Sequence, residues 1–445
     1  MTQLRKYCLP AAVIGLLAAA EPAQPAGDAL QDRLDPASWD GTLVGPRPAS
    51  IDDGRPPALE KVVVATLEEL RVAIGSARPS MVIELQPGTY ELTDAKIKIV
   101  RPGRSDGPIV LRAPSLGSVR LKSPRIEAIH VLAPYWTFEN LVIEGVCADD
   151  SDCEHAFHVV GNAVGTVIQN NWITNFNAAI KVNGVAGRYP DGGLIRRNAF
   201  INEHPRATGR PVAVLDFVSA SRWRVQRNFI ADFAKTGDDR TSYGAFFKGA
   251  GEGNIFEQNV VRCEWRHTGL DRVGFSFGAD GTALPHCRDG SCAAEHRGGI
   301  ARNNVIMDCP NHAGIYLSKS DATLIHNNAL IATRGIELRY PVTDAAIVNN
   351  IIDGSISARD GGVFTSTGNL IAPGKAGEAP ALSLGIYVDP RGGDLRLMDG
   401  RSVVGRGVPM VSDGLDLCGQ PLGSGPLDIG PIQYSSGSEC APLLE

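Results

Sequence analysis

The chain has 445 residues and a formal net charge of −6, with 50 glycines, 29 prolines and only 6% aromatic residues. This abundance of turn-forming residues favours a β protein over a helical one. A nucleic-acid-binding protein would carry a basic surplus, so the charge argues against nucleic acid as a partner. It leaves room for a local basic cleft that binds an acidic polymer.

The N-terminus has the pattern of an export signal. Arg5 and Lys6 precede an almost wholly apolar run over residues 8–20, and an Ala-rich stretch follows. This pattern predicts a cleaved signal peptide over residues 1–26 and a secreted or periplasmic protein. The apolar run is too short to span a bilayer, so we expect no membrane partner after cleavage. The alternative is an uncleaved membrane anchor.

Cysteine usage agrees with export. Removal of Cys8 with the signal leaves eight cysteines, an even number that fits an oxidising compartment. Three pairs are suggested by proximity, the first two as clipped loops and the third as a tie on the tail: Cys147/Cys153, Cys287/Cys292 and Cys418/Cys440. The alternative is buried free thiols.

The first regular elements follow an irregular stretch. Residues 27–60 are rich in Pro, Asp and Gly without periodicity, which predicts a linker or irregular lead-in. Thr66-Leu67-Glu68-Glu69 is a capping box that opens the short helix LEELRVAI, and the strand-like MVIEL follows. A small amphipathic helix before a run of strands is what a solenoid needs to cover its first open coil.

An internal repeat occupies the body of the chain. Seven segments of the type IQNNWI place Asn at a fixed point, with steps of 27, 30, 31, 45, 24 and 22 residues: Asn171, Asn198, Asn228, Asn259, Asn304, Asn328 and Asn350. Periods in this range indicate stacked repeats. Asn suits a turn, because its amide bonds to backbone and it tolerates a left-handed φ. Stacking therefore predicts an amide ladder.

A second strand precedes each Asn segment. Its second and fourth positions are almost all apolar, and period-two alternation turns them inward: Phe157/Val159, Ile180/Val182, Ala213/Leu215, Ala245/Phe247, Phe275/Phe277, Ile315/Leu317 and Ile336/Leu338. The third and fifth positions then share one outer face, which is the candidate groove: His158, Lys181, Asn183, Asp216, Lys248, Tyr316, Glu337 and Arg339. A merely solvated sheet is the alternative.

These patterns predict an all-β fold, a right-handed parallel β-helix (solenoid) with a short N-terminal capping helix and an irregular C-terminal tail. The β-helix domain would span 61–397 and carry a loop insertion at 265–298, which we interpret as a wall or lid of a site. Residues 398–445 are Gly/Pro-rich and are expected to close the C-terminal end. Capped ends disfavour end-to-end stacking, so a monomer is expected.

Two stretches resemble the parallel β-helix polysaccharide lyases of the chondroitinase B and alginate lyase group. LEELRVAIGSARPSMVIELQPGTYEL is similar to the family's N-terminal cap and first coils. GIYLSKSDATLIHNNALIATRGIELRYPVTDAAIVNNIIDG is similar to its catalytic coils, where a Lys and an Arg lie about one coil apart. The resemblance covers about half of the chain.

The resemblance implies a secreted lyase that cleaves a uronic-acid-containing polysaccharide or oligosaccharide by β-elimination. Lys319 and Arg339 match the family's Lys and Arg, and Tyr316 is a candidate proton donor. A lysine acts as a base only with a lowered pKa, which a nearby cation such as Arg339 favours. The remaining candidate substrate-binding residues are Lys248, Lys181, Asn183, Asp216, Glu337 and His312.

The residues themselves predict no cofactor, and calcium is the candidate that the resemblance raises. The family binds calcium through two acidic residues shortly before the Lys, whereas His312 and Gly314 stand in that neighbourhood here. The spacing of His155 and His158 is weak evidence for a metal, and a structural role is the preferred interpretation. The identity of any metal stays unknown.

Three alternative functions stay open on the same fold. A hydrolase resembling polygalacturonases needs carboxylates as acid and base, but only Asp216 lies on the predicted face. A C5-epimerase would share the lyase's base chemistry, although an Asp-Pro-His-Asp motif of one epimerase family is missing. A non-catalytic carbohydrate-binding β-helix is the third, because fold does not imply function.

Overall fold

The computed structural model describes residues 43–48, 54, 58–279, 281–372, 383–410, 414–422 and 426–437. The predicted signal peptide (1–26) and Cys440 lie outside the described residues. Among those described, no helix is both long enough and apolar enough to cross a membrane.

Three long parallel sheets form the body of the protein. The first sheet has 12 strands: Glu60–Val64, Met81–Leu85, Ile109–Arg112, Trp136–Glu139, Val167–Gln169, Leu194–Arg196, Arg224–Gln226, Ile255–Glu257, Ile300–Arg302, Thr323–His326, Asp344–Val348 and Val363–Thr367. The second sheet has 10 strands: Ile97–Ile99, Glu127–Val131, His155–Val160, Ile180–Asn183, Val212–Val218, Thr241–Lys248, Asp271–Phe277, Ile315–Ser318, Gly335–Arg339 and Ser355–Arg359. The third sheet has 11 strands: Gly88–Glu91, Val119–Ser123, Val142–Gly145, Trp172–Thr174, Ala199–Ile201, Phe229–Ala231, Val260–Arg262, Val305–Cys309, Ala329–Thr333, Ile351–Asp353 and Leu370–Ala372.

Each repeat is one coil that visits the second, first and third sheets in turn, and each strand pairs with its equivalent in the next coil. This arrangement is a right-handed parallel β-helix, as the repeat predicts. Two small sheets accompany it, one parallel (Gly251–Glu252, His296–Arg297, Ser320–Asp321) and one antiparallel (Tyr387–Asp389, Asp394–Leu397). The described 3₁₀ turns are Asp150–Asp152, Leu284–His286 and Tyr434–Ser436.

One continuous apolar core fills the interior of the coils, from Val64 to Ile352. The alternation predicted for the second sheet holds along most of it, but Ala213 is an exception. Ala213 belongs to a separate buried cluster with Phe246 and Tyr316, on the outer face. The strand bends there, because Val214 turns into the core and displaces the alternation by one residue.

The predicted capping helix, α1 (Leu67–Gly75), begins at a capping box. The Thr66 hydroxyl accepts a hydrogen bond from the Glu69 N–H at 3.2 Å, and the Glu69 carboxylate accepts one from the Ala65 N–H at 2.7 Å. Leu70 and Ile74 are buried in the same core as the first strands. The helix therefore covers apolar residues of the first coils, as expected. A second short helix, α2, spans Ser383–Ile386.

The predicted amide ladder is present at the corner between the first and third sheets. Each ladder Asn donates from its Nδ2 to the Oδ1 of the next at 2.9–3.1 Å, from Asn171 to Asn350, and Asn369 extends the series. The left-handed residue of each corner precedes the ladder Asn, for example Asn170 (φ 55°) and Arg197 (φ 53°). The ladder position thus requires Asn for the hydrogen bonds of its buried amide. Its tolerance of a left-handed φ is not used there, because the preceding residue adopts that conformation.

Disulfides confirm two of the predicted pairs, Cys147–Cys153 and Cys287–Cys292. A third disulfide, Cys263–Cys309, joins two adjacent coils and was not suggested by sequence proximity. Cys418 is also disulfide-bonded, while its expected partner lies outside the described residues.

The described part of the tail packs along the third sheet, and its closure of the C-terminal end stays a prediction. Tyr387, Leu417 and Ile429 pack in one cluster with outward residues of the third sheet such as Phe229 and Trp172. The tail runs back along the β-helix because the third sheet presents an apolar outer face that must be covered. Backbone carbonyls of the tail also accept hydrogen bonds from corner amides, as Asp428 does from Asn327.

Candidate functional site

The outer face of the second sheet carries the predicted site residues in two rows of stacked positions. The first row runs in register through Lys98, His130, His158, Lys181, Asp216, Phe246, Ser276, Tyr316, Glu337 and Ser357. The second row includes Asn183, Val218 and Lys248, and further along Ser318, Arg339 and Arg359. Parallel strands lie about 4.8 Å apart, so each row is a line of evenly spaced side chains.

Tyr316, Lys319, Arg339 and Tyr340 form one group at the C-terminal end of this face, here termed the lysine–arginine group. The Arg339 guanidinium donates to the Tyr316 hydroxyl at 3.5 Å. The Tyr340 ring centre lies 4.7 Å from the Arg339 guanidinium carbon and 5.7 Å from Lys319 Nζ. Both distances are within cation–π range. The sequence resemblance therefore selected side chains that do lie together.

Lys319 aligns in the repeat with Gly161, Gly184 and Gly249, which predicts a corner at this position, and the structure has one. Its φ of 53° is left-handed, and it lies between the strands Ile315–Ser318 and Ser320–Asp321. Its side chain lines a cavity of about 470 Å³ with Gly281–Leu284, Ser291, Cys292 and Glu295. The predicted insertion thus supplies a wall beside Lys319.

Exposure differs within the lysine–arginine group. Tyr316 is only 3% exposed, whereas the Arg339 side chain is 24% exposed. The Asp360 carboxylate accepts a hydrogen bond from Arg339 Nε at 2.8 Å. A ligand from solvent would therefore contact the Arg339 guanidinium first. The Tyr316 hydroxyl lies deeper, next to that guanidinium.

His312, Glu337 and Lys248 border this group. The His312 and Tyr316 rings meet edge to face at 5.9 Å. Glu337 is ion-paired with Arg359 at 2.6 Å. Lys248 Nζ donates to the carbonyl of Gly281, a cavity-lining residue, at 3.1 Å and lies over the Phe246 ring. Lys248 is thus placed at the rim of the cavity.

Calcium does not fit the lysine–arginine group. Calcium requires several oxygen ligands. The nearby carboxylates of Asp360 and Glu337 are each held by an arginine, at 2.8 and 2.6 Å. His312 and Gly314 offer no carboxylate at the positions where the resemblance raised the expectation of two acidic ligands.

Lys181, Asn183 and Asp216 lie on the same face but in a different group. Lys181 forms an ion pair with Asp216 at 2.5 Å, and Asn183 accepts a hydrogen bond from His158 at 2.7 Å. Five strand-to-strand steps separate the strand of His158 from that of Tyr316, about 24 Å. Phe246 and the buried Ser276 occupy the row between them. The candidate groove is therefore two polar groups divided by an apolar stretch.

Glu127, His130 and His158 form the core of the second group, here termed the imidazole cluster. One candidate ligand atom from each lies within 4.8 Å of the others. The His130 and His158 rings stack at 5.1 Å, and His158 Nδ1 lies 2.7 Å from Glu127 Oε1. The hydrogen bond with His158 holds the pKa of Glu127 well below its usual value despite partial burial.

His155 and Glu154 flank the imidazole cluster. His155 Nδ1 donates to the Ala178 carbonyl at 3.2 Å, and burial lowers its pKa to about 4. Burial raises the pKa of Glu154, which lies 3.7 Å from His155 Nε2. The structural interpretation of His155 agrees with these contacts, whereas His158 faces a carboxylate on the exposed side.

Sequence reasoning missed Glu127 and His130. Both belong to the strand Glu127–Val131, which lies one coil before the first segment in the repeat alignment. Extending the alignment by one coil would have placed EAIHV beside HAFHVV and aligned His130 with His158.

The fold and this face define the class of protein: a right-handed parallel β-helix with polar groups on the outer face of one sheet. A family model described as "Periplasmic copper-binding protein (NosD)" matches residues 239–372. The matched part contains the lysine–arginine group and excludes the imidazole cluster. A comparison with curated proteins gives no significant match.

Solved structures share the fold. The pectate lyase Pel9A is similar with a TM-score of 0.50 and 13% identity, over 84% of this chain and 96% of that chain. The PL6 family polysaccharide lyase Pedsa3628 from Pseudopedobacter saltans has a TM-score of 0.40 and 15% identity, over 83% and 99%. The alginate lyase from Paenibacillus sp. str. FPU-7 has a TM-score of 0.40 and 14% identity, over 72% and 97%. At 13% identity the first similarity shows the fold alone, and the two lower scores add no argument.

Proposed function

We propose that this protein is an extracytoplasmic polysaccharide lyase that cleaves a uronic-acid-containing polymer by β-elimination. The observation that carries the proposal is the convergence of Lys319, Arg339 and Tyr316 beside a cavity walled by the insertion. The fold is one that a protein named a pectate lyase uses. The disulfides support an oxidising compartment.

β-Elimination makes three demands on the site. The substrate's C6 carboxylate must be neutralised, a base must remove the C5 proton, and the leaving C4 oxygen must receive a proton. Arg339 suits the first task, because a guanidinium stays charged and binds carboxylates in a fork geometry. Its partial exposure leaves it accessible to a bound uronate. Lys248 at the cavity rim would hold a neighbouring carboxylate of the polymer.

Lys319 and Tyr316 share the two proton transfers. Lys319 Nζ, as a neutral amine, takes the C5 proton, and the electron pair forms the C4–C5 double bond as the C4–O bond breaks. The Tyr316 hydroxyl donates its proton to the departing oxygen. Tyr316 regains a proton from solvent and Lys319 loses one, which restores the site. The Arg339 guanidinium stabilises the phenolate left in between, since it already contacts the hydroxyl.

The test is an ultraviolet assay with the mature protein. Alginate, pectate, chondroitin and hyaluronan are supplied separately, and the absorbance of unsaturated uronates is followed. We expect a rise on one polymer and a loss of about 10²–10⁴-fold in Lys319→Ala, the range typical of removing a general base. Arg339→Ala should be similarly impaired. Lys122→Ala, which removes a half-exposed lysine from the third sheet, is the matched control and should retain full activity.

Each other outcome has a defined meaning. Reducing ends without a rise in absorbance would indicate a hydrolase, and binding without any product would indicate a carbohydrate-binding protein. Either result overturns the lyase proposal. A rise that persists in both Lys319→Ala and Arg339→Ala would retain the lyase class and refute the site.

A further inference from the structure

The imidazole cluster is a second candidate site that the lyase chemistry does not use. Its three side chains are 15, 18 and 19% exposed for Glu127, His130 and His158, so the cluster is open to solvent on one side. It lies about five strand spacings from Tyr316 in the second sheet.

We propose that the imidazole cluster binds a divalent transition-metal ion, with Glu127, His130 and His158 as its protein ligands. Two imidazoles and one carboxylate are a ligand set that Zn²⁺ and Cu²⁺ accept. Two metal–ligand bonds placed end to end reach about 4.2 Å. Ligand atoms within 4.8 Å of one another therefore need only small side-chain movements to share one ion.

His158 is oriented as a metal ligand requires. Asn183 Nδ2 donates to the Gly184 carbonyl at 3.1 Å, which turns the Asn183 Oδ1 toward His158. The His158 Nε2–H donates to that oxygen at 2.7 Å, which leaves Nδ1 to face Glu127 Oε1, also at 2.7 Å. Metal-ligating histidines characteristically donate their other ring N–H to an oxygen in this way. When the ring is protonated, Nδ1 donates to the Glu127 carboxylate, and when the ring is neutral with Nε2–H retained, Nδ1 offers a lone pair to a metal ion in the same place.

His130 supplies the second observation. Both of its ring nitrogens are buried atoms without a hydrogen-bond partner, and Nδ1 lies 3.4 Å from Glu127 Oε2. Buried polar atoms are nearly always hydrogen-bonded, so an unpartnered imidazole beside a carboxylate calls for an explanation. An ion bound by Glu127 and His158 would provide His130 with its partner.

The positive charges of neighbouring lysines would weaken the binding of a metal cation, and this gives the proposal a specific test. Lys96 forms an ion pair with Glu127 Oε2 and leaves Oε1 facing His158. Lys98 stands beside His130 in the row, whereas Lys181 is neutralised by Asp216. Removing Lys96 should therefore strengthen metal binding, which no purely structural role for the cluster would produce.

Isothermal titration of the mature protein, stripped of metal with a chelator, tests the proposal with Zn²⁺ and Cu²⁺ as separate probes. We expect one ion per chain. His130→Gln and His158→Gln should each weaken binding by at least about 100-fold, and Asn183→Ala by about 10–100-fold, the range for an outer hydrogen-bond partner. Lys96→Gln should bind more tightly. His204→Gln is the matched control, because His204 is 54% exposed and contacts Asp150 outside the cluster.

Two further measurements keep the result clear. Co²⁺ should give visible absorption bands with the wild-type protein that the His130→Gln/His158→Gln double variant lacks. Circular dichroism of each metal-free variant checks the fold. The proposal is overturned if the wild-type chain binds no ion, or if the folded double variant binds as tightly as wild type. In either case the cluster is an imidazolium–carboxylate pair only.

Discussion

Replacing one rung of the amide ladder should destabilise the whole β-helix, and Asn228 is the clearest position. Its side chain is fully buried. Its Oδ1 accepts hydrogen bonds from the backbone N–H and the Nδ2 of Asn198, both at 3.0 Å. Its Nδ2 donates to the Ile195 carbonyl at 3.0 Å, the Gln226 carbonyl at 3.1 Å and Asn259 Oδ1 at 2.9 Å. Asn228→Ala removes all five interactions.

The loss in the free energy of unfolding can be estimated from the groups that the substitution leaves without a hydrogen-bond partner. In Asn228→Ala, the backbone N–H of Asn198 and the carbonyl of Ile195 each lose their hydrogen bond to the Asn228 side chain inside the buried corner. Each buried group left without a partner costs about 1–3 kcal/mol. We therefore expect Asn228→Ala to lower the free energy of unfolding by about 4 kcal/mol, measured by urea titration with circular dichroism. Asn311→Ala is the control and should cost less than about 1 kcal/mol, because Asn311 is exposed and donates one described hydrogen bond. A loss below about 1 kcal/mol for Asn228→Ala would refute the ladder as a stabilising element.

Three other perturbations test separate parts of the fold by the same urea titration. Replacing both Cys263 and Cys309 with Ala should cost about 4 kcal/mol, because the disulfide closes a loop with a sequence separation of 46; an unchanged midpoint would contradict this. Burial lowers the pKa of His296 to about 3 and that of His326 to about 4, so only the unfolded chain takes up their protons below pH 6.5. The free energy of unfolding should then fall as the pH drops from 6.5 toward 4, by up to about 1.4 kcal/mol per pH unit per histidine. In the His296→Gln variant, the free energy of unfolding should depend less steeply on pH. Thr66→Ala should cost about 1 kcal/mol by removing the helix cap, whereas the exposed Glu68→Ala should cost less.

The fold could be predicted from the sequence because one short pattern fixes a whole coil. An invariant spacing around Asn marks the corner, and the alternation before it marks the inner side chains. The prediction failed at Ala213, where a bend places Val214 in the core. Periodicity alone does not reveal such a bend, because the displaced residues are both small and apolar.

The sequence predicted which face of the β-helix carries the candidate site. It predicted less well which side chains on that face contact one another. Register follows from the repeat, so Tyr316 and Arg339 could be assigned to neighbouring strands. The contact of both cations with Tyr340 depends on the left-handed corner at Lys319, which the sequence indicates only through glycines at equivalent positions. Glu127 escaped notice because its coil lacks the Asn motif that anchored the alignment.

The three outer faces of the β-helix carry different kinds of side chain. On the first sheet, arginines form ion pairs with carboxylates of adjacent coils, as Arg302 does with Glu257 at 2.8 Å. On the third sheet, the described tail covers an apolar face. On the second sheet, Arg339 stays partly exposed and both ring nitrogens of His130 are buried without hydrogen-bond partners. Unsatisfied polar groups cost stability, and we infer that this face retains them for ligands, an anionic sugar at one end and a metal ion at the other.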